Sequence, residues 1–330
     1  MGEKGKLLIH QNYFQHNILE AGAHWTDFPW RSANNINGTG FPEPPPYAGD
    51  KRIYMANQFY DITHPVRRDL HRAYIRQCLA NFAGSANVIQ SLSAEYTGPL
   101  HFVEFWLDVI AGWEAETGFH PVVALGATKD VQDALLRDPL RASMVDVIDI
   151  RYWAWRDDGT LYAPPGDQQM APRQHARKIA PGKRSFESVY RSVFEIRSRF
   201  PDKAVIYTET LGEDEGWAVL MAGGSLAPLP GGLPVELLSA VTEMKPVPPL
   251  KEMKNSFRLA NEKGMLVYCR EGGTILLNLK KYGGRLKCRF LDPRTGAFLP
   301  ETMDLMGGKT VSLKRPGNGD VVLWIEKLKQ

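Results

Sequence analysis

Cysteine is scarce in this chain of 330 residues: Cys78, Cys269 and Cys288 are all it has. Three thiols cannot all pair with one another, and none of their spacings suits a metal knuckle, so a disulfide scaffold and a zinc module are excluded. Charge of one sign is not in excess either. Forty Lys plus Arg against 37 Asp plus Glu leave a formal charge of +3, too even for a nucleic-acid footprint. No apolar run approaches the ~18–20 residues that span a bilayer. The opening residues from Met1 to His10 turn polar too soon for the ~7–15 apolar residues of a secretory leader. The G-x-S-x-G elbow of serine hydrolases is missing, and Gly223-Gly224 and Gly231-Gly232 lack the strand–helix setting of a nucleotide loop. Internal repeats are missing too, and low complexity is confined to the proline-rich stretch 42–46.

What is present is an ordinary globular composition, 43% hydrophobic and 23% charged, long enough to bury a substantial core in one large and one small domain. Along the first 230 or so residues, apolar β-rich runs alternate with helix-length segments. Lys6–Phe14, Asn87–Ala94, Pro121–Ala127, Val145–Arg151 and Lys203–Thr208 read as buried strands. Val66–Phe82, Leu100–Thr117, Val131–Arg137 and Arg184–Phe200 read as helices. In the second helix Phe102, Phe105, Trp106, Val109, Ile110 and Trp113 recur at three- and four-residue steps, which gives one apolar face. Trp217–Ala222 and Ser225–Leu229 are expected as a further short helix and strand. Continuous apolar strands separated by helices imply a parallel sheet covered on both faces, the pattern of an α/β barrel.

After residue 262 the pattern changes. Met265–Cys269, Thr274–Leu279, Leu286–Leu291, Thr310–Leu313 and Val321–Glu326 are short strands punctuated by Gly, Asp-Pro and Asn-Gly signals. The expected organisation is therefore a (β/α) barrel over residues 1–262 and a small β-sandwich-like domain over 263–330. The proline-rich stretch Lys245–Leu250, followed by a helix to about Lys263, would connect them.

Two long loops, Ile18–His64 and Tyr152–Lys183, follow strand ends, where an α/β barrel builds its active site. They are rich in aromatic and amide side chains: Trp25, Trp30, Asn34 and Asn35 in the first, Tyr152, Trp153, Arg173 and Gln174 in the second. Such loops suit a sugar, whose ring face stacks and whose hydroxyls take directional hydrogen bonds. Two acids stand out. Glu95 follows an apolar strand and opens a hydroxyl-rich turn with Tyr96 and Thr97; Glu209 ends Ala204-Val-Ile-Tyr-Thr. Two carboxyls at the C-terminal rim are what glycosidic cleavage needs, one to protonate the leaving oxygen and one to attack or stabilise the oxocarbenium-like centre. A strand-end Glu can also simply cap a helix or pair with an Arg.

Strand-end glutamates on what would be barrel strands four and seven resemble those of the retaining glycoside hydrolases of clan A. Within that clan the chain is similar to cellulase-like and apiosidase-like bacterial enzymes whose barrel is followed by a small β-domain. The stretches that carry the resemblance are Asn87–Pro99, Ile148–Trp153, Ile206–Leu211, Trp217–Leu226 and Phe290–Gly296, with Asp320–Leu323. The resemblance implies Glu95 as acid/base and Glu209 as nucleophile, a poly- or oligosaccharide substrate, no cofactor and a secreted or periplasmic setting. It departs from the clan at Ala94, where an Asn that holds the sugar's 2-hydroxyl is usual; Ser93 or a loop Asn would have to substitute. Only six barrel strands are visible, and Lys6–Phe14 resembles strand three, so the expectation is a barrel lacking its first two βα units. Concealed strands in Ile53–Ala56 or Trp25–Trp30 are the alternative.

His10, Asn12, His16, Trp25, Tyr96, Tyr152, Trp153, Tyr207, Arg173 and Trp217 are the expected substrate contacts. His10, His16 and His24 lack the H-x-H spacing of a metal-dependent barrel hydrolase, so no metal is assigned. Protein partners are not legible, and neither nucleic acid nor membrane is expected. A non-catalytic carbohydrate-binding barrel is the competing reading.

Overall fold

A computed structural model describes residues 5–14, 18, 24–45, 51–93, 96–168, 170, 172–208, 215–248, 255–270 and 273–328. The chain divides into two compact units, residues 1–183 and 184–330.

The first unit is built on four parallel strands: β1 (Leu8–Gln11), β2 (Val88–Ser91), β3 (Val122–Leu125) and β4 (Val147–Ile150). They lie in sequence order, with His10 beside Gln90, Gln90 beside Val123, and Leu125 beside Ile148. The helices are α1 (Lys51–Tyr60), α2 (Pro65–Ala80), α3 (Leu100–Thr117), α4 (Lys129–Arg137), α5 (Pro139–Ser143) and α6 (Pro172–Lys178). A two-residue hairpin, β5 (Ala154–Trp155) with β6 (Leu161–Tyr162), sits in the second long loop. The apolar face read from the sequence of α3 is buried, and Gly118 ends the helix in the left-handed region, where a Cβ would be strained. Ile53–Ala56 is helical, within α1, and Trp25–Asp27 is a single 3-10 turn, so neither hides a strand.

Aromatic packing explains how the long loop before α2 is held. Trp30 stacks on His71 at 4.7 Å, and Phe41 stacks on Phe59 at 6.0 Å. Tyr13, Phe59 and Phe102 complete a buried cluster that joins this loop to α2 and α3.

The second unit begins with α7 (Phe186–Arg199), capped by Ser185 and Ser188 in a reciprocal box, followed by β7 (Ala204–Tyr207), α8 (Glu215–Met221) and α9 (Val235–Val241). Its sheets use β8 (Lys245–Val247), β9 (Ser256–Ala260), β10 (Gly264–Cys269), β11 (Thr274–Asn278), β12 (Arg285–Leu291), β13 (Phe298–Met306), β14 (Thr310–Lys314) and β15 (Val321–Lys327). Six form an antiparallel sheet in the order β13-β12-β15-β10-β9-β8, and β11 pairs with β14. Ile275, Leu277 and Leu313 of the small sheet share a core with Val267, Phe290 and Leu323 of the large one. On the other face Phe186 and Tyr190 of α7 pack on Phe257 at 4.6 and 4.7 Å.

Two sequence expectations are corrected. Ser225–Leu229 is not a strand: Ser225 N–H donates to Val205 O at 2.7 Å, but Leu226 turns to φ +53° and Pro228 has no N–H to give. The helix expected up to Lys263 is replaced over residues 256–260 by β9, because cross-strand pairing with β10 outweighs the local helix preference. Residues 262 and 263, the expected domain boundary, lie in the tight turn of that β9–β10 hairpin, where Asn261 Oδ1 accepts from Lys263 N–H at 2.8 Å.

Candidate active site

The C-terminal ends of the parallel strands bring several polar groups of the first unit together. Ser91, Ala124 and Val147 are paired across β2, β3 and β4, so Ser93, Gly126 and Asp149, two positions further, share one face under strand alternation. A Cβ on Gly126 would stand 3.1 Å from Asp149 Oδ2, so the bare backbone there lets the carboxyl approach. Gln132 of α4 bridges the two strand ends, its amide donating to Leu125 O at 3.0 Å and Asp149 O at 2.6 Å. Trp153 N–H donates to the same side chain, to Oε1, at 2.8 Å. Lys129 Nζ lies 4.3 Å from the Trp153 ring centroid. Trp153 is wholly buried, and its ring belongs to the rim's scaffold.

Beyond β2 the chain rejoins the sheet at Tyr96, which bridges to Ala127. The Tyr96 hydroxyl donates to Pro99 O at 2.5 Å, and its ring packs edge-on against Tyr60. This turn anchors the second long loop: Thr97 Oγ1 donates to Met170 O at 2.7 Å, and Asp167 N–H to Thr97 O at 3.0 Å. Gly166 N–H donates to the Asp130 carboxylate at 3.0 Å, while Asp130 also accepts from Val131 N–H at 2.9 Å. His175 of α6 is buried, and its Nε2 has no hydrogen-bond partner among the described residues. Burial pushes its pKa down, with Lys178 adding to the shift and Asp130 opposing it.

His10 in β1 and Asn12 just after it both meet Gln90 of β2. Asn12 is buried: its amide donates to Gln90 Oε1 at 3.0 Å and its oxygen accepts from Trp106 N–H at 2.7 Å. His10 Nδ1 lies 2.9 Å from the same Gln90 oxygen, with its ring 4.7 Å from that of Phe82. Trp25 is also buried, donating to Glu43 at 2.6 Å. Tyr152 is buried just after β4.

In the second unit, Tyr207 ends β7 and is buried, and Trp217 of α8 donates to Pro293 O at 2.8 Å. Glu95, Glu209, His16 and the Arg173 side chain lie outside the described residues, with Ser93 and Tyr96, and Thr208 and Glu215, bracketing the two acids. The structure thus brings Tyr96, Tyr152 and Trp153 to the strand-end rim, places Asn12 against Trp106 of α3, and places His10 beside Gln90 and Phe82. Sequence reasoning singled out neither Gln132 nor His175. An Asp-Val-Gln just after a strand was the available signal, and it reads equally as an ordinary helix start. Among the described residues no group of three His, Cys, Asp or Glu side chains could hold a metal ion.

Residues 1–244 match the family model of DUF6298, a domain of unknown function. No curated protein sequence matches the chain. Among solved structures it is similar to one described as a glycoside hydrolase, at 12% identity over 84% of this chain and 76% of that one, with a TM-score of 0.50. A glycoside hydrolase family 5 protein from Bacteroides vulgatus ATCC 8482 is similar at 13% identity over 78% of this chain and 66% of that one, with a TM-score of 0.49. A xylanase of glycoside hydrolase family 30 subfamily 8 from Clostridium acetobutylicum is similar at 12% identity over 80% of this chain and 73% of that one, with a TM-score of 0.41. At this identity the first of these likenesses shows a shared fold.

Proposed function

The chain belongs to the DUF6298 family, and we propose that it is a retaining glycoside hydrolase acting on a poly- or oligosaccharide. The observation that carries this reading is the fold shared with a glycoside hydrolase over 84% of the chain. It is supported by two acids in sequence just beyond the ends of β2 and β7, Glu95 and Glu209. In this reading the strands belong to a barrel of the clan A type. The Glu209 carboxylate attacks the anomeric carbon while the Glu95 carboxyl gives its proton to the leaving glycosidic oxygen. Glu95, now a carboxylate, takes a proton from water, and that water displaces Glu209 and frees the sugar with its configuration retained. The two carboxyls supply the whole reaction, and no cofactor enters it.

The test is hydrolysis of a panel of plant and microbial glycans by the wild type, Glu95→Gln and Glu209→Gln. Both variants should lose turnover while melting like the wild type. Glu209→Gly with azide should yield a glycosyl azide, the mark of a missing nucleophile. Full activity in either Gln variant overturns the assignment. Ala94, in place of the clan's usual Asn, favours a second reading, a non-catalytic carbohydrate-binding protein. Saturable glycan binding with no product from the wild type would select it.

A further inference from the structure

One arginine in the second unit is buried without an ion-pair partner among the described residues. Arg258 of β9 is only 5% exposed, and its Nε and Nη2 have no hydrogen-bond acceptor among the described residues. The neighbouring arginines are all engaged: Arg270 with Glu187 at 2.7 Å, Arg285 with Asp304 at 2.8 Å, Arg289 with Glu326, and Arg315 with Arg270 O at 2.8 Å. The charge of Arg258 acts on Tyr190, whose hydroxyl is likewise buried and without a partner among the described residues. Burial lowers the pKa of Arg258, as expected of a cation removed from water without an anion to offset the loss. Such a group is costly, and buried charges are ordinarily paired.

Arg258 is among the residues that line a cavity of about 320 Å³, within the size range of small-ligand sites. Val247, Ala260 and Met265 give it an apolar side, and Asn278, Lys280 and Lys281 line the rest, with no carboxylate among the described residues of its wall. The Asn278 oxygen already accepts from Lys280 N–H at 3.2 Å, which leaves its amide hydrogens to donate. Among the described residues, three cations and an amide donor thus line this space, with no anion to offset them. We propose that this cavity is a binding site for a small ligand bearing a carboxylate or phosphate group, whose oxygens are taken by Arg258 and flanked by Lys280 and Lys281. A guanidinium is the donor suited to such oxygens, since its fork matches them two at a time. A sugar acid and free phosphate share this chemistry.

The full-length protein is titrated at fixed ionic strength with sodium phosphate, sodium glucuronate and neutral glucose, and followed by calorimetry and melting temperature. Saturable binding and a raised melting temperature are expected with an anion and not with glucose. Saturation by phosphate identifies the free oxyanion as sufficient, and saturation by glucuronate alone identifies a sugar acid. Arg258→Met should weaken binding at least ten-fold, while the ligand-free variant melts no lower than the wild type, because an unpaired charge has been replaced by an apolar chain. No saturable binding of either anion, or equal affinity in Arg258→Met, overturns the proposal. Should that variant not fold, the Lys280→Ala/Lys281→Ala double variant is read instead, since both side chains are exposed. At least three-fold weaker binding supports the site, and unchanged affinity overturns it.

Discussion

The indole N–H of Trp106 donates to the side-chain oxygen of Asn12 at 2.7 Å, joining the end of β1 to the middle of α3 across 94 residues of sequence. Asn12 also gives its amide to Gln90 at 3.0 Å, and its carbonyl accepts from the Tyr74 hydroxyl at 2.6 Å. One side chain thereby ties β1, β2 and α3 together inside the first unit.

Asn12→Ala leaves the Trp106 N–H buried without an acceptor, and a loss of about 2–3 kcal/mol in folding stability is expected. Urea denaturation measures it. Unchanged stability together with a raised KM for a saccharide would instead place Asn12 in contact with substrate.

Trp153→Phe keeps most of the buried ring volume and removes the donor to Gln132. A loss of about 1–2 kcal/mol is expected, from one orphaned buried acceptor. KM for a saccharide should not move, because the ring is wholly buried and offers no face for stacking. Steady-state kinetics beside a melting curve distinguishes scaffold from platform.

Gly166→Ala tests the pinning of the second long loop. The added Cβ would stand 2.8 Å from both Thr128 Oγ1 and Val131 Cγ2, inside van der Waals contact. The substitution should cost about 1–3 kcal/mol. It should also speed hydrogen exchange at the Asp167 amide, which donates to Thr97 O in the wild type.

His71 makes stability depend on pH. Its Nδ1 lies 2.9 Å from the Tyr13 hydroxyl and its Nε2 2.9 Å from Phe59 O, so Nε2 carries the proton and Nδ1 accepts. Burial holds its pKa down at about 4 in the folded chain, against an ordinary value near 6.5. Above pH 6.5 the ring is neutral in both states and the contribution is fully present. Between 6.5 and about 4 only the unfolded chain takes up the proton, so stability falls as pH falls, by order of 3 kcal/mol across the window. His71→Gln should flatten that part of the stability profile. An unchanged slope in the variant would assign the dependence to other groups.

Much of the architecture was legible in the sequence where a repeat along the chain matched a single element. Leu100–Thr117 is helical over the very residues expected, because its apolar positions recur at helical spacing and all meet one core. β9 was not legible: Ser256–Ala260 has no strong strand signal, and its five buried residues are held by the neighbours in β8 and β10. β13 was missed for a related reason, since Phe298–Met306 carries Pro300 and exposed polar residues, as an edge strand can. At the candidate site the surroundings of the aromatic residues follow from partners far away in sequence. Trp153 is turned into the rim by Gln132, and Trp217 toward Pro293.

The sequence by itself determined the α/β alternation, the antiparallel C-terminal strands and the two strand-end acids, because these depend on local periodicity and on residue chemistry. Tertiary structure alone decided which polar groups are consumed in holding the fold and which are left over. Asn12, looking like a sugar contact, is spent on Trp106 and Gln90, whereas Arg258, looking like one charge among many, is buried with no partner among the described residues. The reason is physical: a hydrogen bond or ion pair is a relation between two groups in space, and no spacing along one chain segment specifies the second.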